Sequence, residues 1–214
     1  MTIKERYRGI IGYFTENIPI AETELVYNSP FELIVSVILS AQCTDKRVNL
    51  ITPALLAKYP DAGSMALAEP EAIFEYIKSC SYPNNKSKHL SGMARMLVNE
   101  FGGQVPGEPD LLQRLPGVGR KTANVVASVI FGKPVIAVDT HVFRVSVRTG
   151  LVRNARTPLS VEQQLTANIK SEQLHLAHHW LILHGRYICK AKNPLCEQCG
   201  IKNFCRYYSE KKKK

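Results

Sequence analysis

The sequence has no uninterrupted apolar run long enough to cross a bilayer. Its longest apolar stretch, residues 31–41, is broken by Glu32, Ser36 and Ser40, whereas a transmembrane helix needs about 20 predominantly apolar residues. The first residues also lack the apolar core of a signal peptide and carry glutamates instead. We therefore expect a cytoplasmic protein with no membrane partner.

Acidic residues are also scarce. The 214 residues include 18 Asp and Glu against 28 Lys and Arg, which gives a formal net charge of +10. A charge of this size favours a polyanionic partner, above all nucleic acid. The 45% hydrophobic content excludes wholesale disorder and allows one sizeable core or two small domains.

Alternating strand patterns are almost absent, since the one β-like run, residues 135–138, is too short to make a sheet by itself. Helical spacing dominates instead, and we predict an all-α fold. A first helix includes Tyr7 and Phe14, and a second begins at Ser29 with Glu32 completing a capping box. Further helices are predicted at residues 46–58, 70–79, 86–101, 121–131, 140–149, 161–169 and 173–184, the last ended by Gly185.

The cysteines are few and unevenly placed. Cys43 and Cys80 stand apart and are predicted to be buried thiols. The other four form one C-x6-C-x2-C-x5-C loop, made of Cys189, Cys196, Cys199 and Cys205. Four clustered thiolates predict a closed metal site, and both zinc and an iron-sulfur cluster suit them. The spacing by itself does not separate these two.

The segment from residue 189 to residue 214 is strongly basic, with eight basic and two acidic residues. We interpret Lys190 and Lys192, which lie inside the cysteine loop, as contacts to phosphate groups. We interpret residues 211–214 as a solvated tail that maintains solubility.

A glycine hairpin lies in residues 115–126, which read LPGVGRKTANVV. Gly117, Val118 and Gly119 form a tight turn that opens, through Arg120, onto the start of a helix. Backbone N–H groups at such a position bind anions, so a DNA phosphate could sit there without any base being read. The alternative is an ordinary turn between two helices.

Lys121 and Asp139 are the candidate catalytic residues. Lys121 lies in the first turn of a helix, where the positive end of the helix dipole makes an ammonium easier to deprotonate, as a nucleophilic lysine requires. A phosphate clamp is the alternative for Lys121. Asp139 stands at another helix start, where it would cap the helix and keep an ionised carboxylate for a cationic sugar transition state.

Five segments together resemble the endonuclease III family of DNA glycosylases, helix-hairpin-helix proteins that bind an iron-sulfur cluster. They are residues 40–45 (SAQCTD), 115–126, 136–144 (IAVDTHVFR), 179–186 (HWLILHGR) and the four-cysteine loop. The resemblance covers nearly the whole chain.

This resemblance implies a fold and its partners. A six-helix barrel domain with the helix-hairpin-helix would occupy residues 22–132, and a helical iron-sulfur cluster domain would combine residues 1–21 and 133–214. Double-stranded DNA containing damaged pyrimidines or abasic sites would bind a monomer, across the cleft between the domains. The four cysteines would hold a [4Fe-4S] cluster.

The resemblance also implies residue roles in a bifunctional glycosylase and AP lyase. Lys121 would be the nucleophile that forms a Schiff base with the sugar, and Asp139 the essential carboxylate. Gln42 would fill the gap left by an extruded base. Residues 80–85 depart from the family pattern, and Tyr82 is our candidate for the side chain that wedges into the opposite strand.

Two rival functions remain at this point. An adenine-mismatch glycosylase of the same superfamily would use water as its nucleophile and would lack a lysine at the hairpin position, so Lys121 argues against it. A non-catalytic DNA-binding module would use the hairpin and the metal loop only to clamp phosphates, and would not require Asp139.

Overall fold

The computed structural model describes residues 1–211, and helices dominate this range. The helices are α1 (Ile3–Asn17), α2 (Pro30–Ser40), α3 (Asp45–Lys58), α4 (Ala62–Ala66), α5 (Pro70–Ile77), α6 (Pro83–Phe101), α7 (Pro109–Leu112), α8 (Arg120–Phe131), α9 (Thr140–Thr149), α10 (Pro158–Asn168), α11 (Leu174–Tyr187) and α12 (Arg206–Lys211). Within residues 1–211 there is no strand, which confirms the predicted all-α class. Most of the predicted 211–214 tail lies outside the described residues.

The predicted end of α11 is wrong. Gly185 is expected to stop this helix, but the helix continues to Tyr187. The glycine is needed for packing instead, because a Cβ atom at this position would lie 2.9 Å from Cβ of His141 on α9. Gly185 thus lets two helices approach closely. Three short helices, α4, α7 and α12, were not predicted, since each is too short to show a hydrophobic period.

The predicted capping box of α2 forms only in part. The Ser29 hydroxyl accepts a hydrogen bond from the Glu32 N–H at 3.1 Å, as expected. The Glu32 carboxylate does not accept the second hydrogen bond of the box, from the Ser29 N–H. It accepts from the N–H of Asn28 at 2.7 Å instead, which fixes the chain one residue before the cap.

The chain divides into two compact units, Thr23–Lys133, called here the central unit, and Met1–Glu22 with Pro134–Lys214, called the terminal unit. In the central unit α2 is buried on nearly all sides, as its continuous apolar sequence predicts. It packs against α3, α6 and α8, while α6 also packs against α4 and α5.

The core of the terminal unit is built around aromatic side chains. Phe14 of α1 stacks on Trp180 of α11 with a centroid distance of 5.8 Å, and His184 meets Phe14 edge-on at 5.5 Å. The Trp180 indole N–H donates to the Ile18 carbonyl at 2.7 Å. These contacts join the first helix of the chain to α11, far away in sequence.

None of the helices within residues 1–211 combines the length and the apolar character that a bilayer crossing requires.

Two glycines of α1 allow a matched test of how this helix packs against its neighbours. Gly9 faces the Phe204 ring, which an added Cβ would overlap, whereas no described atom lies within 4 Å of a Cβ at Gly12. We expect Gly12→Ala to stabilise the protein by about 0.5–1 kcal/mol, because alanine favours the helix. Gly9→Ala should destabilise it by about 1–3 kcal/mol through overpacking. Thermal unfolding of both variants measures the difference, and equal midpoints would contradict the packing.

Candidate active site and iron-sulfur centre

The hairpin before α8 is closed by its own backbone. The N–H of Val118 donates to the Leu115 carbonyl at 3.0 Å, and the Val118 side chain is buried. Val118 therefore shapes the turn, and its N–H group is already engaged there.

The two hairpin glycines have different reasons to be glycine. Gly117 has φ +80°, and a Cβ there would lie 2.8 Å from Cβ of His89, so both its backbone conformation and its packing exclude a side chain. Gly119 has an extended backbone with φ −87°, and no described atom lies within 4 Å of a Cβ built on it. The space in front of Gly119 is thus open to a ligand.

Gly119 is the N-cap of α8 and offers no side chain to cap it. The first N–H groups of an α-helix have no partner within the helix, and they form the positive end of its dipole. Arg120 and Lys121 are exposed in this first turn. Lys121 thus lies at the surface of the central unit, beside a helix end suited to an anion.

Gln42 and Tyr82 lie on two turns that the structure brings into contact. The Ser81 hydroxyl donates to the Gln42 carbonyl at 2.5 Å. Both residues have left-handed backbones, with φ 54° for Gln42 and 55° for Tyr82, and the Tyr82 side chain is 61% exposed. The other two non-glycine residues with positive φ among residues 1–211 are asparagines, which tolerate it. Gln42 and Tyr82 are thus held in an unfavourable conformation, as is common at functional sites.

Lys86 supports the Gln42 turn, a role that sequence reasoning missed. Its side chain is buried, and its ammonium donates to the carbonyls of Leu39 at 2.7 Å and Ala41 at 2.8 Å. These carbonyls belong to the C-terminal end of α2, where a cation is favourable. Burial lowers the pKa of Lys86. No local signal marks this lysine, because it sits in a run of polar residues at the start of α6.

One face of α6 supports both the turn and the hairpin. Lys86 holds the end of α2, His89 packs over Gly117, and Gly92 faces the Pro116 ring, with a Cβ there at 3.3 Å. These three residues are three apart, so they share one side of the helix. The positions of Gln42 and of the hairpin therefore depend on the same rigid element.

Asp139, in the terminal unit, is the N-cap of α9. Its carboxylate accepts a hydrogen bond from the Val142 N–H at 2.8 Å, which confirms the predicted cap. The residue is half-buried, and the cap is made by its Oδ1 atom.

The four clustered cysteines line one pocket together with the apolar side chains of Ile188, Leu195 and Ile201. Among the described residues, no three His, Cys, Asp or Glu side chains converge closely enough to hold a single metal ion. Four cysteine thiols around one apolar pocket are a ligand set that an iron-sulfur cluster takes. The residues that would hold it are Cys189, Cys196, Cys199 and Cys205.

Burial disfavours the thiolate form of two of these cysteines. It raises the pKa of Cys199 to about 11 and raises that of Cys205, whereas a bound metal stabilises the thiolate. His184 lies with Nε2 at 3.7 Å from Sγ of Cys199. Burial lowers the pKa of His184 to about 4, so its ring is neutral at pH 7.

Two arginines of α9, missed by sequence reasoning, hold the cysteine loop. Arg144 donates to the carbonyls of Cys189 at 3.1 Å and Gly185 at 2.8 Å. Arg148 donates to the carbonyls of Lys190 at 2.7 Å and Ala191 at 2.8 Å. The two arginines are four residues apart, so they lie on one face of α9. This spacing is the sequence signal that could have identified them.

Lys190 and Lys192 are both exposed. Because Arg148 holds the carbonyls of Lys190 and Ala191, the backbone that carries these lysines is fixed while their side chains face solvent. The structure therefore presents two positive charges at the rim of the cysteine loop.

These features define a helical protein with a glycine hairpin and a four-cysteine loop, and comparison with known families gives the class. Residues 35–171 match the model of the HhH-GPD superfamily base excision DNA repair protein. Residues 189–205 match the iron-sulfur binding domain of endonuclease III. The second match covers the four-cysteine loop and sets the zinc alternative aside.

Individual relatives agree along nearly the whole chain. The chain is 48% identical to endonuclease III of Rickettsia conorii over 199 residues, 93% of this chain and 94% of the relative. It is 46% identical to endonuclease III of Bacillus subtilis, covering 92% and 90%. A trapped endonuclease III–DNA covalent intermediate, the estranged-adenine complex, superposes with a TM-score of 0.92 at 42% identity, covering 99% of this chain and all of that one.

The chain belongs to the endonuclease III family. It is a base-excision repair DNA glycosylase with AP lyase activity, and it carries a [4Fe-4S] cluster. The predicted family, fold class, enzyme class and cofactor are confirmed.

The contrast between the two hairpin glycines is testable. Gly117→Ala should destabilise the protein by about 1–3 kcal/mol, because φ is positive and His89 must move. Gly119→Ala should fold normally, since nothing occupies the space of its Cβ, and should weaken DNA binding by blocking the close approach of a phosphate. Thermal unfolding and DNA titration separate the two effects. Unchanged DNA binding by the Gly119 variant would contradict a phosphate site here.

Proposed function

We propose that this enzyme excises oxidised pyrimidines from double-stranded DNA and then cleaves the strand by β-elimination through a Schiff base on Lys121. The observation that carries this proposal is the position of Lys121. It is an exposed amine in the first turn of α8, two residues after the open Gly119, in a chain of the endonuclease III family. A glycosylase that used water would not need an amine there.

Lys121 acts as the nucleophile. Its neutral amine attacks C1′ of the damaged nucleotide, and the bond from C1′ to the base breaks with the base as leaving group. Opening of the sugar ring gives the Schiff base. Loss of a proton from C2′ then expels the 3′ phosphate, and hydrolysis of the Schiff base returns the lysine.

Asp139 stabilises positive charge on the sugar while the bond to the base breaks. A carboxylate close to the sugar stabilises such a charge electrostatically. The bond from Val142 to Asp139 also fixes the direction of the side chain. Capping and catalysis therefore use different parts of the same group.

Gln42 and Tyr82 occupy the duplex where the damaged base leaves it. Gln42 has hydrogen-bonding atoms for the base left without a partner, and the exposed Tyr82 ring can stack on unpaired bases. The two turns are joined through Ser81, so both side chains can enter the DNA as one rigid element. The left-handed backbone at both positions supports a functional role.

The phosphate contacts come from two regions. Gly117, Gly119 and Arg120 form the hairpin site, with Val118 maintaining the turn, and Lys190 and Lys192 provide a second site at the cysteine loop. The cluster, when bound, supplies iron-sulfur bonds that close this loop and an iron centre able to store an electron. The chain's own arginines, Arg144 and Arg148, keep the loop on α9.

We further propose that the enzyme acts as a monomer on the DNA of the cytoplasmic nucleoid. The net charge of +10 supports attraction to DNA without a second subunit. We also propose that the central unit is the barrel domain and the terminal unit the cluster domain.

The substrate class is tested with duplexes that carry thymine glycol, an abasic site or an adenine mismatch, with and without borohydride. We expect excision of thymine glycol, cleavage at the abasic site, and a covalent adduct that borohydride traps. Excision of adenine alone, with no trapped adduct, would instead support an adenine-mismatch glycosylase. Binding without any excision would support a DNA-binding module.

The two catalytic assignments have matched variants. Lys121→Gln should abolish borohydride trapping and leave DNA binding largely intact, because only one of many positive charges is lost. Asp139→Asn should slow base excision by about 100-fold or more, while the helix keeps its cap, since asparagine caps as well as aspartate. Trapping that persists without Lys121 would refute the nucleophile. Normal excision by the Asp139 variant would reduce that residue to a helix cap.

The salt dependence of DNA binding tests the two lysines at the cysteine loop. Binding should weaken linearly on a plot of log K against log salt, because phosphate contacts release counterions. Replacing both Lys190 and Lys192 with alanine should reduce the slope by about two, since each contact contributes about 0.9. A double alanine variant of Lys58 and Lys88, two exposed lysines of the central unit, controls for net charge. Equal slopes in both variants would show that no phosphate meets Lys190 or Lys192.

A further inference from the structure

Two cysteines outside the metal loop lie in contact. The Sγ atoms of Cys43 and Cys80 are 3.8 Å apart, although the two residues are 37 positions apart in sequence. Cys80 is buried, and Cys43 is partly exposed. Neither belongs to the pocket lined by the four clustered cysteines, so this is a separate pair of thiols.

The pair lies next to the turns that present Gln42 and Tyr82. Cys43 directly follows Gln42, and Cys80 directly precedes Ser81, whose hydroxyl donates to the Gln42 carbonyl. Both cysteines lie outside helices, Cys43 between α2 and α3 and Cys80 between α5 and α6. Their backbones can therefore shift without breaking a helix.

We propose that Cys43 and Cys80 are a reversible redox pair, which a small-molecule disulfide oxidises to an intramolecular disulfide that joins the two turns and weakens DNA binding. The formation of this bond does not depend on the proposed function. Its effect on DNA rests on the proposed roles of Gln42 and Tyr82.

The reaction follows from the positions of the two thiols. Cys43 is the accessible sulfur, so its thiolate attacks one sulfur of the oxidant, forms a mixed disulfide with it, and displaces the other sulfur as the first free thiol. The Cys80 thiolate then attacks Cys43 in this mixed disulfide and releases the second thiol. The two protons of the cysteines end on the two released thiols. Two electrons pass from the protein to the oxidant.

The surroundings support Cys80 as the second, resolving thiol. Burial, and next its contact with Cys43, raise the pKa of Cys80 to about 11, so this thiol is a poor first nucleophile in solution. The cations of Lys86 and Arg47 oppose this rise. Lys86 is held in place by the carbonyls of Leu39 and Ala41, so its charge stays near the pair and favours the Cys80 thiolate.

The bond ties the two turns together. A disulfide has its sulfur atoms about 2.05 Å apart, whereas here they are 3.8 Å apart. The sulfurs therefore approach by nearly 2 Å, and the new covalent bond constrains the turns that carry Gln42 and Ser81. We propose that this constraint hinders the joint entry of Gln42 and Tyr82 into the DNA.

The experiment uses the cluster-loaded protein, kept anaerobic in mixtures of reduced and oxidised glutathione. After acid quenching and alkylation of free thiols, peptide mass mapping should find a peptide that links Cys43 to Cys80, and its amount should rise with the oxidised fraction. The visible absorbance of the cluster, followed in parallel, should stay constant. Binding to a duplex with a non-cleavable abasic analogue should weaken about tenfold, the loss expected when one base contact is removed, and dithiothreitol should restore it.

Cys43→Ser and Cys80→Ser are the matched variants. Each should bind the same duplex like the reduced parent and lose the response to oxidised glutathione. Absence of the linked peptide at every ratio, or a linked protein that binds DNA like the reduced one, would overturn the proposal. A reduced protein that fails to excise any lesion would refute the proposed function instead, and the linked peptide would still report the redox pair.

Discussion

The buried ammonium of Lys86 fixes the geometry on which the central unit's candidate site depends. A buried lysine is costly unless its charge is matched by hydrogen-bond acceptors, and here the carbonyls at the end of α2 provide them. The same face of α6 carries His89 and Gly92, which pack on the glycine hairpin. One helix thus sets the positions of Gln42, which we propose enters the DNA, and of Lys121, the proposed nucleophile.

The two strained residues, Gln42 and Tyr82, lie in the region that Lys86 holds in place. Left-handed backbones at Gln42 and Tyr82 each cost about 1–3 kcal/mol, and such strain persists only where neighbours over-determine the conformation. The bonds from Lys86 to Ala41 and from Ser81 to Gln42 provide this constraint. The thiols of Cys43 and Cys80 lie in the same small region. A change in their bonding therefore acts directly on the two strained turns.

The terminal unit uses α9 in a similar way. The helix begins at Asp139, whose carboxylate caps it, and two of its later residues, Arg144 and Arg148, hold the backbone of the cysteine loop. The aromatic stack of Phe14 on Trp180 ties α1 to the same unit. The cluster loop, which has little regular structure of its own, is thereby fixed both by its cysteines and by a neighbouring helix.

The sequence by itself determined the helical class, most helix positions, the cap at Asp139 and the family, because periodicity, capping residues and motif spacing are local properties. It also singled out Lys121, Asp139 and the four cysteines as candidates. Only the tertiary structure brought Cys43 to Cys80, placed Gly185 inside a helix, and gave Lys86, Arg144 and Arg148 their partners. These contacts join residues distant in the chain. Their energies depend on burial and on which carbonyls or sulfur atoms lie within reach, and no local pattern records that.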